Sequence, residues 1–250
     1  YQYGGKITVR NLLQMRSGLL DYLNDPYSFI RDEEGLKIIN DHAGENYPDK
    51  YVEDDRWLAD IIVRNLPLNG LIFEPGTMYK YCNTNYYLLG LIIEKASGMS
   101  YEEYIDKNIF KKCKMTNSNM KAEDSDAKGH GNEVSGPIKV DPKFIFSAGD
   151  IYSNVYDLLK WERNLHTGKL LKENSYNELI SPIDGYGFGL FNNGGIINHG
   201  GIIDGFKSYT EYNSGTDTTI ILLENGNASI SYLQLEPKDQ AAMINQLLPQ

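Results

Sequence analysis

Long apolar runs are missing from these 250 residues, and no stretch approaches the roughly 20 apolar residues that a membrane-spanning helix requires. Cysteine is scarce. Cys82 and Cys113 could form at most one bridge, and their spacing fits neither a zinc site nor a disulfide framework. Basic charge is in deficit, with 24 Lys and Arg against 34 Asp and Glu and a net charge of −10. That balance argues against sequence-independent binding to nucleic acid or anionic lipid, which depends on clustered cations releasing counterions. The one dense basic cluster, Lys107, Lys111, Lys112 and Lys114, is expected to be a solvated helix end rather than a phosphate patch. The first residues lack the basic and apolar regions of a secretion signal, so an export signal is expected to have been removed or to lie upstream.

What is present is the composition of a soluble globular chain, 41% hydrophobic and 23% charged. At this length folding buries roughly 70 to 75% of the unfolded surface, enough for a substantial core in one large domain or two small ones. Apolar spacing predicts a helix from Ile7 with Thr8 as N-cap and Gly18 as its stop. Further helices are expected near residues 33–40, over 56–65, over 83–97 closed by Gly98, over 101–110, over 154–165 and over 237–248. Short β-rich segments at 186–190, 195–198, 207–212 and 218–224, separated by glycine-containing turns, predict an antiparallel meander. The expected fold is α+β, a helical cluster packed on an antiparallel sheet. One domain over 1–250 is expected, mainly helical over 1–165 and carrying sheet strands and a last helix over 166–250, with a cleft between the two parts for a small molecule.

Two segments could carry chemistry. In Glu74-Pro75-Gly76-Thr77-Met78-Tyr79-Lys80-Tyr81-Cys82-Asn83 a turn leads into an apolar helix, and Tyr81 and Asn83 alternate across an extended step. A phenol there could relay a proton and an amide could bind a substrate carbonyl or amide. With 19 tyrosines in the chain, Tyr81 on these residues alone reads first as a half-buried packing residue, and Cys82 reads as packing. In Asn198-His199-Gly200-Gly201-Ile202-Ile203-Asp204-Gly205-Phe206, adjacent glycines within a strand mark a place where a ligand or another backbone comes close, and His199 borders it. His199 can equally be structural. No metal site is expected, since His42, His130 and His166 lie in unrelated contexts.

Together these segments resemble the second and third motifs of the penicillin-recognising serine hydrolases, the group of class C β-lactamases, D-alanyl-D-alanine peptidases and penicillin-binding proteins. Supporting segments follow in order. Ile7 to Leu19 resembles that family's helix ending in Ser-Gly-Leu, Phe73 to Gly76 its Pro-Gly turn, and Ser147-Ala148-Gly149 its Ser-Ala-Gly turn. The resemblance runs from about Ile7 to Asn225 and implies a β-lactamase/transpeptidase-like fold, with the Tyr-x-Asn motif on one wall of the site and the His-Gly-Gly strand on the other. It implies Tyr81 as proton shuttle, Asn83 as substrate amide contact and His199 as the electrostatic and hydrogen-bonding group of the strand. Gly200 and Gly201 would border the substrate, and the N–H of Ile202 would serve as one oxyanion donor.

That family's first motif, Ser-x-x-Lys on a buried helix, belongs several tens of residues before Ile7, where only six residues stand. The nucleophile, its helix and the first strands are therefore expected outside this chain, and the chain alone is expected to be inactive. Ser118-Asn119-Met120-Lys121 and Ser125-Asp126-Ala127-Lys128 match the formula but follow Tyr81, and Ser17 and Ser147 read as turn or capping residues. The function implied is an acyl-transfer serine hydrolase acting on D-amino-acid peptides, β-lactams or esters. The rivals are a non-catalytic domain that binds peptidoglycan-like ligands or β-lactams, and an inactive fragment. No cofactor is implied, and the resemblance suggests an extracytoplasmic bacterial location.

Overall fold

The computed structural model describes residues 4–24, 70–121, 127–129, 142–203 and 205–226, with 37, 59, 63, 238–239 and 241–242 as isolated helical positions. Those isolated positions fall inside the helices expected over 33–40, 56–65 and 237–248; the remainder of those three segments and most of the 121–142 connection lie outside the described residues. The chain forms two compact units, one of residues 1–101 with 141–150, the other of 102–140 with 151–250.

In the first unit, α1 covers Val9–Leu13. Thr8 and Asn11 form a reciprocal capping box, each side chain accepting the other's backbone N–H. The helix stops well short of Gly18 because Met15 turns left-handed, with φ 57°. Tertiary contact imposes this: buried Met15 offers its sulfur to the Cys82 N–H and the Asn85 amide, while its carbonyl accepts from Lys80 N–H. Gly18 follows with φ 76°, where a Cβ would meet the Phe73 carbonyl oxygen at 2.1 Å, so the Ser-Gly-Leu turn lies against the Pro-Gly turn.

Helix α2, Asn83–Ser97, ends as expected at a left-handed Gly98. Its buried positions are Asn83, Thr84, Asn85, Tyr87 and Gly90, whereas Leu88 and Leu91 are only half-buried and Ile92 is exposed. Polar burial here is satisfied locally. Thr84 donates to the Leu20 carbonyl and accepts from Tyr22 N–H, and Asn85 accepts from the Ser17 hydroxyl. Helix α4, Pro142–Ile145, and the 3-10 turn Phe146–Ala148 close over α2. A Cβ at Gly90 would meet Ser147 Oγ at 2.0 Å, so glycine permits that approach. An aromatic chain of Tyr22, Tyr87, Phe146 and Tyr101, with centroids 5.1 Å apart at each step, fills the interior.

The second unit opens within the helical run from α3, Tyr101–Ile105, which widens into a π-helical turn at Asp106–Phe110 and ends as α-helix at Lys111–Cys113. The lysine cluster falls at this helix end, and Lys111 pairs with Asp106. Phe110, Cys113 and Met115 pack with Trp161 of α5, Val155–His166. A further helix, α6, Glu173–Ile180, goes beyond the elements the sequence predicts; its apolar stripe is short, Tyr176, Leu179 and Ile180 at its C-terminal end, and none of its residues is fully buried.

The sheet is a meander in the order β1 (Phe191–Asn193), β2 (Ile196–Ile203), β3 (Phe206–Asn213), β4 (Thr218–Glu224). The strand expected at 186–190 is instead a series of turns. Gly185 and Gly189 have φ 83° and 78°, and Gly187 sits where a Cβ would meet the Leu179 carbonyl oxygen at 2.3 Å. One sheet face buries Ile197 and Tyr212 with Leu190, against Leu179 and Ile180 of α6; the other buries Tyr209 and Ile220 with Ala241.

Candidate active site

Each unit holds one half of the residues singled out by sequence. In the first, Tyr81 and Asn83 flank Cys82, whose φ of −158° and ψ of 113° make the expected extended step before α2. Cys82 is buried, its thiol lies against the carbonyls of Leu19 and Leu20, and burial pushes its pKa up to about 12. It is a packing residue, as the sequence suggested. Tyr81 is 39% exposed, and burial of its hydroxyl, followed by the Asp21 carboxylate, raises its pKa. In this half-site the phenol therefore keeps its proton at neutral pH.

Asn83 is the first residue of α2 and is buried. Cys82, at the N-cap, makes no side-chain capping bond. The Asn83 backbone N–H and Nδ2 instead both donate to Asp21 Oδ2, at 3.0 and 2.9 Å. Asp21 thus acts as the cap from a distant segment, its negative charge at the positive end of the helix. Sequence reasoning passed over Asp21. Its signal was a lone carboxylate within Leu19-Leu20-Asp21-Tyr22-Leu23, an apolar setting in which an acid needs partners.

In the second unit, His199 lies midway along β2 and is part-buried, with its ring stacked on Phe191 at 5.9 Å. Its Nδ1 is 2.7 Å from the Gly200 carbonyl oxygen, which can only accept, so Nδ1 carries the proton. Nε2 then accepts from the Tyr186 hydroxyl at 3.3 Å. Burial lowers the His199 pKa and outweighs the opposing effect of the bond to Gly200, so the ring is neutral at pH 7. Tyr186, buried to 1% exposure, was not singled out by sequence; only the structure brings it to the histidine.

The register defines what the glycines offer. Asn192 of β1 gives its N–H to Gly185, away from β2, so Asn192 and Ile197 are a non-hydrogen-bonded pair across β1 and β2. By strand alternation the N–H groups of Asn198, Gly200 and Ile202 point away from β3. Asn198 meets Phe191 of β1, but β1 is three residues long, and beyond it Gly200 and Ile202 have no strand partner on that side among the described residues. Gly200 and Gly201 are exposed and Ile202 is 73% exposed. The result is an open strand edge with two outward N–H groups, a neutral histidine beside it and little side chain in front.

The serines weighed as nucleophiles are engaged elsewhere. Ser118 hydrogen-bonds Ser153 and donates to Asp157, Ser17 donates to Asn85 and accepts from Leu19 N–H, and Ser147 donates to the Tyr86 carbonyl. Ser125 lies outside the described residues. His166 is a structural histidine, stacked on Tyr212 at 4.1 Å and bonded to Tyr176 and Glu162; His42 and His130 lie outside the described residues. Among the described residues no group of three or more His, Cys, Asp or Glu could hold a metal ion, and no helix is long and apolar enough to cross a membrane.

Comparison with known proteins places these observations in one family. The sequence matches the family model for Beta-lactamase over residues 1–242, and the chain belongs to that family. It is 30% identical over 175 residues to a protein of Bacillus subtilis (strain 168) that carries the name penicillin-binding protein PbpX, a match covering 66% of this chain and 44% of that one. It is 29% identical over 240 residues to protein flp of Staphylococcus aureus (strain MRSA252), covering 89% of this chain and 44% of that one. The chain therefore spans less than half the length of these relatives. Among solved structures, D-amino acid amidase from Ochrobactrum anthropi SV3 complexed with L-phenylalanine amide superimposes with a TM-score of 0.72 at 21% identity, covering 99% of this chain and 74% of that one. A penicillin binding protein from Bacillus halodurans gives 0.71 at 19% identity, covering 97% and 73%. These structures establish the α+β fold of β-lactamase/transpeptidase-like proteins.

Proposed function

We propose that the complete polypeptide is a serine hydrolase acting through an acyl-enzyme on D-amino-acid peptides, β-lactams or esters, with its nucleophile carried outside these 250 residues. The observation that carries this reading is the open edge of β2, where the Ile202 N–H points outward beside two exposed glycines. In acyl transfer the serine oxygen adds to the substrate carbonyl carbon, and the carbonyl oxygen takes up negative charge. An N–H held rigidly by a strand stabilises that oxyanion without reorganising, and glycines leave room for the substrate backbone. The serine proton passes to the leaving nitrogen or oxygen as the carbonyl bond to it breaks, and water later releases the acyl group.

Within this reading Tyr81 is the proton shuttle and Asn83 the substrate amide contact, while neutral His199 is the hydrogen-bonding group of the strand. Gly200 and Gly201 line the substrate. Proton transfer through Tyr81 then needs a cationic group outside the half-site described above, since its own surroundings raise the phenol pKa. Membership of the Beta-lactamase family supports the substrate class, and peptidoglycan peptides outside the cytoplasm are the proposed natural setting.

The test is intact-mass analysis after incubation with a fluorescent penicillin, on this chain and on the polypeptide extended upstream. A mass increase in the extended polypeptide alone is the expected result. An adduct on the 250-residue chain would return the nucleophile to an internal serine. No adduct on either, with reversible stabilisation by penicillin, would favour a binding domain.

A further inference from the structure

Asp21 is 4% exposed and its carboxylate accepts five hydrogen bonds. Oδ1 takes the N–H groups of Leu23 and Asn24 at 2.9 and 3.2 Å; Oδ2 takes Asn24 Nδ2 at 2.9 Å and both donors of Asn83. Three of these bonds come from its own turn and lock the carboxylate in place before Asn83 is considered. A carboxylate accepts only, so Asn83 must present Nδ2 to it and not Oδ1. No described group donates to Asn83 Oδ1.

We infer that Asp21 is the positioning residue of the Tyr81–Asn83 half-site: it fixes the orientation of the Asn83 amide, so that Oδ1 and the second Nδ2 proton are what a ligand meets. This rests on the reading of Asn83 as a substrate contact. A cap alone would need only the Asn83 backbone N–H; the bond to Nδ2 is the additional one, and it selects one of the two amide orientations. Asp21 acts through Asn83 and has no assigned contact with the reacting atoms.

The experiment uses the full-length polypeptide with asparagine labelled at the side-chain nitrogen. The Asn83 amide signal is identified by its loss in Asn83→Ala. One Asn83 Nδ2 proton is expected to exchange with solvent about ten- to a hundred-fold more slowly than an exposed amide, because a charge-assisted bond must open first. Fast exchange of both protons in the wild-type protein overturns the inference, whether or not any variant folds. In Asp21→Asn the protection is expected to disappear while the fold is retained; protection that survives overturns it as well.

The second readout is the rate of labelling by fluorescent penicillin in Asp21→Asn, Asn83→Ala and the double variant. The inference expects Asp21→Asn to slow labelling, and the double variant to be no slower than Asn83→Ala. Additive losses would make Asp21 a structural residue only. If Asn83→Ala labels at the wild-type rate, the substrate-contact reading fails, and the exchange measurement still decides what Asp21 does to the amide.

Discussion

Asp157 has no exposed surface at the start of α5, yet it is charged. Burial opposes ionisation, and Lys160, the Asn117 N–H and the Ser118 hydroxyl outweigh it, holding the carboxyl below its ordinary 3.8. Its folded pKa is depressed, so its contribution is fully present above about pH 4 and is lost as pH falls through the folded value. Replacing Asp157 by Ala leaves the Asn117 N–H without its acceptor, while Lys160 keeps the Lys114 carbonyl, and is expected to cost about 2 kcal/mol, read from denaturant unfolding at pH 7. His199 has the same sign by another route. As a base with a lowered folded pKa it takes up protons more readily unfolded, so stability declines as pH falls from near its ordinary 6.5 to the lower folded value. His199→Gln is expected to flatten that part of the stability profile, measured by thermal unfolding between about pH 7.5 and 5.

At the scale of elements, two glycines with the same left-handed backbone separate conformation from contact. Gly98 caps α2 at φ 70°, and a Cβ there would meet nothing within 4 Å, whereas Gly18 at φ 76° lies against the Phe73 carbonyl oxygen. Gly98→Ala is expected to cost about 1 kcal/mol, the left-handed penalty alone, and Gly18→Ala at least about twice that, because backbone must also move. Equal losses in chemical denaturation would contradict the steric account. The same contrast explains what was legible in sequence. The cap at Gly98 and the strand Thr218–Glu224 depend on local pattern and fall where the sequence indicated. The end of α1 does not, because the left-handed turn at Met15 serves contacts to Cys82 and Asn85 some 67 and 70 residues away. Residues 186–190 carried strand-like aromatics, but Gly187 must pass close to Leu179, and that approach exists only after folding.

At the scale of the whole molecule, the chain covers 44% of its relatives PbpX and flp, so ligand response is best read on the chain and the longer polypeptide together. Under the proposed function the extended polypeptide, once acylated, is expected to unfold at a higher temperature than its free form. A ligand that only binds reversibly stabilises by about 2.7 kcal/mol at a hundred times its dissociation constant, and that gain vanishes on dialysis. Stabilisation that survives dialysis therefore marks the covalent reading. The sequence by itself determined the α+β class and the order of helices before sheet, which rest on local periodicity, and it singled out Tyr81, Asn83, His199, Gly200, Gly201 and Ile202 as candidates through short motifs. Only the tertiary structure decided that Asp21 holds Asn83, that Tyr186 meets His199, and that among the described residues no strand pairs with the edge of β2 beyond β1. Those are relations between segments distant in sequence or set by strand register, and no spacing along one chain encodes them.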